Sequence, residues 1–166
     1  MDRKRNRKEF VDMIEKYKGI IHKICLMYTS INEDKEDLYQ EICMQLWRSY
    51  RNYKGESKFS TWLYRVALNT AISSIRKKKR IIETVQLEPE MHYHVKDIDK
   101  SKHTKNLFKA VSMLNKIDRS IILLWLEKKK YNEICEITGL SRSAVSVRLV
   151  RIKNKLKIII KKLENE

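Results

Sequence analysis

The sequence predicts an all-α protein built from two small helical domains joined by a flexible linker. Three observations carry this. Only 3 glycines and 1 proline occur in 166 residues, so the punctuation that strands and tight turns require is scarce. Apolar residues recur at steps of three and four in two separate blocks. Between the blocks lies ETVQLEPEMHYHVKDIDKSKHTK, which holds the lone proline, mixes charges and shows no sustained stripe. The expected domains are residues 1–82 and 104–166, with 83–103 as the tether. No internal repeat is present.

Each helix follows from its own stripe. Phe10, Ile14, Tyr17, Ile21, Ile24 and Tyr28 mark a first amphipathic helix. Leu38, Ile42, Leu46, Trp47 and Tyr50 mark a second, with Asn32 as its expected cap. Phe59, Trp62, Leu63, Val66 and Ala67 begin a third that runs through Ala71 to Ile75, with Ser57 as its cap and Gly55 in the preceding turn. After the tether the period returns at Leu107, Val111, Leu114, Ile117, Ile121, Leu124 and Trp125. The stretch YNEICEITGLSRSAVSVRLVRIKNKL then reads as two helices about a tight turn. Gly139 supplies the left-handed backbone that ends a helix, and Ser141 is suited to cap the next. A short helix, a glycine turn and a longer basic helix form the sequence pattern of a helix-turn-helix, whose second helix enters a DNA major groove.

Composition narrows the partners. A formal net charge of +16 and a pI near 9.8 point to a polyanion, a nucleic acid or an anionic membrane. With 42% hydrophobic residues the chain builds real cores. No run of 18 apolar residues exists, so no membrane insertion is expected. MDRKRNRKEF is basic but lacks an apolar signal core, and the expected compartment is the cytoplasm. Cys25, Cys43 and Cys135 are far apart, odd in number and set in apolar stripes, which reads as small buried hydrophobes and not as a disulfide or zinc framework. His92, His94 and His103 lie in the polar middle with no thiol or carboxylate placed to complete a metal site. No cofactor or metal is expected. Nor is an enzyme: no glycine-rich phosphate loop and no nucleophile–base set occur.

Two further blocks carry chemistry. In DKEDLYQEI, acidic residues in a first helical turn suit the macrodipole, which accounts for Asp34 and Glu36. Asp37, Gln40 and Glu41 instead share one face at three- and four-residue steps, and an acidic face on so basic a chain reads as a protein-binding surface. In KFSTWLYRVALNTAISSIRKKKR, aromatics alternate with Arg65 and Asn69 and lead into five consecutive cations. Rings stack bases, amides read base edges and cations meet phosphates, so the block suits single-stranded nucleic acid. Phe59 and Trp62 fit a core equally well, and the basic run fits a solvated helix end.

These blocks resemble a known family. DKEDLYQEICMQLW is similar to the region 2.2 signature of extracytoplasmic-function (ECF) sigma factors, and KFSTWLYRVALNTAISSIRKKKR to their region 2.3–2.4 signature. The helix-turn-helix resembles region 4.2, and the likeness covers nearly the whole chain in the expected order. Lys35 stands where alanine is commoner, and Ser146 where many members carry a cation in the recognition helix.

The resemblance implies a sigma-2-like three-helix bundle, a sigma-4-like helix-turn-helix domain, and bacterial core RNA polymerase and promoter DNA as partners. It implies that Asp37, Leu38, Gln40, Glu41, Ile42 and Trp47 meet core polymerase. It implies that the loop from Tyr53 to Phe59, the helix through Trp62, Arg65 and Asn69, and the run Arg76, Lys77, Lys78, Lys79 and Arg80 hold the −10 element. Arg142, Ser143, Ser146, Val147, Arg148 and Arg151 would face the −35 groove, with Val145, Leu149 and Ile152 buried behind them. Lys153, Lys155 and Lys157 are either backbone contacts or solvated surface. Many members are restrained by an anti-sigma factor, and the sequence carries no mark of one. A plain DNA-binding regulator with a helical sensor domain is the rival reading, but it leaves the acidic face without a purpose. A membrane-surface protein fits the charge alone, yet the cations sit with aromatics and amides and not opposite a lipid-facing stripe.

Overall fold

The computed structural model describes residues 2–29, 32–85 and 102–165, with side chains for 7–29, 34–77 and 102–165. Among these residues all regular structure is helical. In order, the helices are α1 (Asp2–Tyr28), α2 (Asn32–Tyr50), α3 (Phe59–Val85), α4 (Lys102–Ser112), α5 (Lys116–Leu126), α6 (Tyr131–Thr138) and α7 (Arg142–Glu164). Two compact units result, Met1–His92 and Tyr93–Glu166.

In the first unit α1, α2 and α3 each pack on the other two. Ile21, Ile24 and Cys25 of α1, Leu38, Ile42 and Leu46 of α2, and Leu63, Tyr64, Ala67 and Ala71 of α3 are all buried. These are the expected stripes. Burial pushes the Cys25 thiol up to about 12 and also raises Cys43, so both are poor nucleophiles near neutral pH. Ser57 does not cap α3. That helix starts at Phe59, where the Trp62 N–H donates to the Lys58 carbonyl, while the Ser57 carbonyl accepts the Tyr53 hydroxyl at 2.7 Å. The Asn32 side chain lies outside the described residues, and helix begins at Asn32 itself. α3 continues past the stripe that ends at Ile75 and past the expected domain boundary at 82, reaching Val85; the arginines and lysines of 76–80 are good helix formers and carry it beyond Ile75. The remaining tether, 86–101, lies outside the described residues, as do His92 and His94.

In the second unit α7 packs on α4, α5 and α6. Ser120 to Leu124 are all buried, so α5 is the central helix, covered on several sides. The period that runs unbroken in sequence from Leu107 to Trp125 is in fact two helices. Asn115 breaks it: its side chain accepts from the Asp118 N–H at 2.9 Å, which caps α5. The turn at the centre of the helix-turn-helix forms as expected. Gly139 ends α6 at φ 73°, its N–H returning to the Cys135 carbonyl, and Ser141 Oγ accepts from Ala144 N–H.

Two of the glycines differ by backbone alone. A Cβ at Gly19 or Gly139 meets nothing within 4 Å, so only conformation decides the outcome of substitution. Gly139→Ala forces a left-handed alanine and should cost about 1–2 kcal/mol. Gly19→Ala, inside α1, should gain about 0.5–1 kcal/mol. Thermal unfolding checks both: the midpoint falls for the first and rises for the second.

Candidate nucleic-acid interface

The acidic face of α2 projects from the first unit. Asp37 and Gln40 are exposed and Glu41 is half-buried. Leu38 and Ile42, expected among the contact residues, are in the core at 3% and 0% exposure, and so they hold the face in place without forming it. The outward neighbours at helical spacing are Met44 and Trp47, both exposed. Trp47 is held edge-on by Phe10 at 5.0 Å between ring centroids. Lys77 of α3 reaches Glu41 at 3.9 Å; the lysine is exposed and the separation long, so the pair contributes little stability.

Beside that face the aromatics form one connected cluster. Tyr50 and Tyr53 stack at 6.3 Å, Tyr53 lies 5.0 Å from Trp62, and Phe59 lies 5.3 Å from Trp62. Phe59 also contacts Tyr17 of α1 at 5.4 Å and is buried. It therefore anchors the loop from below and does not itself offer a ring to a base. Tyr53 and Trp62 are half-buried, each keeping part of its surface open. Trp62, Arg65, Asn69 and Arg76 follow along one stripe of α3. Asn69, Arg76 and Lys77 are exposed. The side chains of Lys78, Lys79 and Arg80 lie outside the described residues.

On α7, Val145, Leu149, Ile152 and Leu156 are buried, which fixes the roll of the helix. Ser143, Ser146, Val147, Val150 and Arg151 are exposed. Two of the expected arginines are engaged at the flanks. Arg142 Nη1 donates to Asn132 Oδ1 of α6 at 3.0 Å and its guanidinium lies over the Tyr131 ring. Arg148 Nη1 donates to Asp118 Oδ1 of α5 at 2.8 Å. The other Asp118 oxygen accepts from Asn115 Nδ2 at 2.6 Å, so one carboxylate ties the α5 cap to the recognition helix. Lys153 sits over the Trp125 ring at 3.9 Å, a cation–π contact within the unit.

Comparison with known proteins turns these faces into a family. Residues 13–81 match the family model described as Sigma-70 region 2, and residues 104–156 match that of Sigma-70, region 4. The chain belongs to the sigma-70 family. Its relatives place it in the ECF type. The ECF RNA polymerase sigma-E factor of Haemophilus influenzae is 29% identical, covering 91% of this chain and 89% of the relative. The RNA polymerase sigma factor SigV of Bacillus subtilis is also 29% identical, covering 92% and 91%. The sigma factor RpoE of Bartonella quintana, solved in complex with the anti-sigma factor NepR, shares the fold at a TM-score of 0.78 and 21% identity, covering 93% and 98% of the two chains. CnrH, solved with the cytosolic domain of CnrY, matches at a TM-score of 0.66 and 18% identity, covering 94% of this chain and 90% of that one. No described helix of this ECF sigma factor is long and apolar enough to cross a membrane.

Three surface residues escape the sequence reading. Met44 is marked only by its position three and four residues beyond Glu41 and Gln40. Asp118 is signalled by the Asn115-x-x-Asp118 spacing at a helix start. Val150 passes for one more apolar residue until the buried stripe shows that it points the other way.

Proposed function

We propose that this chain is the promoter-specificity subunit of bacterial RNA polymerase, acting in the cytoplasm and catalysing no reaction of its own. Residues 1–82 hold core polymerase through Asp37, Gln40, Glu41, Met44 and Trp47. The same domain holds the −10 element through Tyr53, Trp62, Arg65, Asn69, Arg76 and the cations that follow. Residues 104–166 read the −35 element through α7. One observation carries this: a single three-helix unit presents an outward acidic helix face beside an aromatic and basic helix. A plain DNA-binding regulator needs only the second. An anti-sigma antagonist is a further partner in this reading. Run-off transcription with purified core polymerase on genomic fragments tests the whole: discrete transcripts that require this chain support it, and their absence on every fragment overturns it.

Strand opening gives a sharper test. Asn69 is exposed in mid-α3, where asparagine is a poor helix former, and its stripe leads from Trp62. It is suited to bond the edge of a base displaced from the duplex. Asn69→Ala should spare core binding yet lower open-complex formation, read as weaker permanganate reactivity of thymines near −10. Unchanged reactivity would make Asn69 a surface residue only.

Arg148 gives a second. One of its nitrogens is bonded to Asp118, and the guanidinium carries further N–H donors beyond that one. A bidentate arginine–guanine contact discriminates by about 1–3 kcal/mol, whereas a phosphate contact weakens all sequences alike. Arg148→Ala should relax base preference at one or two −35 positions in a binding selection. A uniform loss would identify a phosphate clamp instead.

A further inference from the structure

The crest of the recognition helix is apolar. Opposite the buried Val145, Leu149 and Ile152 lie Val147 at 50% exposure and Val150 at 58%. They are three residues apart, hence neighbours on one face with Cβ atoms about 5–6 Å apart. Arg142 and Arg148, which carry charge near this face, are drawn to the flanks by Asn132 and Asp118. Ser143 and Asn154 share this face with the valines, and Ser146 and Arg151 border it on either side. β-Branched residues weaken an exposed helix, so two valines here are no gain to α7 itself.

A major groove offers polar base edges and one prominent apolar group, the C5 methyl of thymine. We infer that Val147 and Val150 read thymine methyl groups at two positions of the upstream element, so that this chain selects A·T pairs there by apolar contact and not by a cation. The inference rests on the −35 reading of α7. It fits a helix that carries serine at position 146. Flanking polar contacts from Ser143, Ser146 and Arg151 would set the register, and the valines would supply the discrimination between thymine and cytosine.

Deoxyuridine makes the test direct, since it keeps the pairing of thymidine and lacks only the methyl. Holoenzyme formed from the full chain and core polymerase first selects duplexes from a pool randomised across the upstream element. Each thymine of the selected element is then replaced singly by deoxyuridine and affinity is measured. One buried methyl is worth about fourfold in affinity. The expected result is a loss of about fourfold at one or two thymines and none at the others. Val147→Ala or Val150→Ala should each abolish the difference between thymidine and deoxyuridine at one of those positions. Both variants replace exposed valines with a better helix former, so α7 persists, and circular dichroism verifies it. Deoxyuridine without effect at every position, in a holoenzyme that still enriches an element, would overturn the inference and leave the sigma-factor reading standing. Retention of the full deoxyuridine penalty in both alanine variants would overturn it equally. Failure to enrich any upstream sequence would overturn the −35 reading and this inference with it.

Discussion

Replacing Asp37 and Gln40 together with alanine should abolish co-purification with core RNA polymerase while the helical content of the protein survives. Both side chains are exposed, and exposed polar substitutions usually cost less than about 0.5 kcal/mol of stability. Their loss at an interface is different. Truncating a hydrogen-bonded charged group against a partner costs about 2–5 kcal/mol, because the opposing group is left buried and unpaired. At about 1.4 kcal/mol per tenfold, that alone is between about 30-fold and 4,000-fold in affinity. Ile42→Ala is the contrasting variant. Ile42 is fully buried, and deleting such a side chain costs about 2–5 kcal/mol of folding free energy. It should therefore lower the thermal midpoint first and impair polymerase binding only through unfolding. Normal polymerase affinity in the double variant would sink the assignment of the α2 face.

Why the outer face was legible, and the division of labour within it less so, follows from periodicity. A repeat of three and four residues says that Leu38, Ile42 and Asp37 lie on one helix. It does not say where the boundary between core and surface falls, because that depends on how α1 and α3 cover α2. The motif brackets residues of both kinds, and only packing separates Ile42 from Gln40. Phe59 is the same case: an aromatic in a base-binding motif is equally an aromatic in a core, and the contact with Tyr17 decides it. The turn at Gly139 was legible because its signal is local, a glycine that must adopt positive φ beside a serine that must cap. The break at Asn115 is just as local, yet it sits inside an apolar period that continues across it in step, so the stripe conceals the cap. Ion pairs between elements, such as Arg148 with Asp118 across 30 residues, have no signature in a single sequence.

Inserting about five base pairs between the −10 and −35 elements should abolish transcription by the holoenzyme. The covalent chain sets the first limit. α3 ends at Val85 and α4 begins at Lys102, and residues 86–101 span at most about 60 Å at 3.3–3.6 Å per residue. A turn of duplex is about 34–36 Å, so this chain reaches between one and two turns, to which each domain adds its own width. Length alone thus permits simultaneous contact with two elements. On the proposed reading each domain alone would bind weakly, and joining them would raise affinity through effective concentration, provided that both can engage together. Half a turn of extra spacer removes that condition in the bound complex. It turns the −35 major groove to the opposite side of the duplex while polymerase holds the −10 domain in place. The tether is long enough to tolerate added distance, but a polymerase that fixes the relative placement of the two domains would keep α7 from following the groove round the duplex. A full turn of added spacer restores the groove to its original side, so part of the activity should return. Deleting the chain from Asp99 onward removes α4 to α7 and should abolish −35-dependent initiation, while the three-helix unit, whose core is its own, keeps its hold on polymerase. Run-off transcription on templates with spacers altered by a half turn and a full turn distinguishes phase from distance. Full activity on the half-turn template would mean that α7 reads no fixed upstream element.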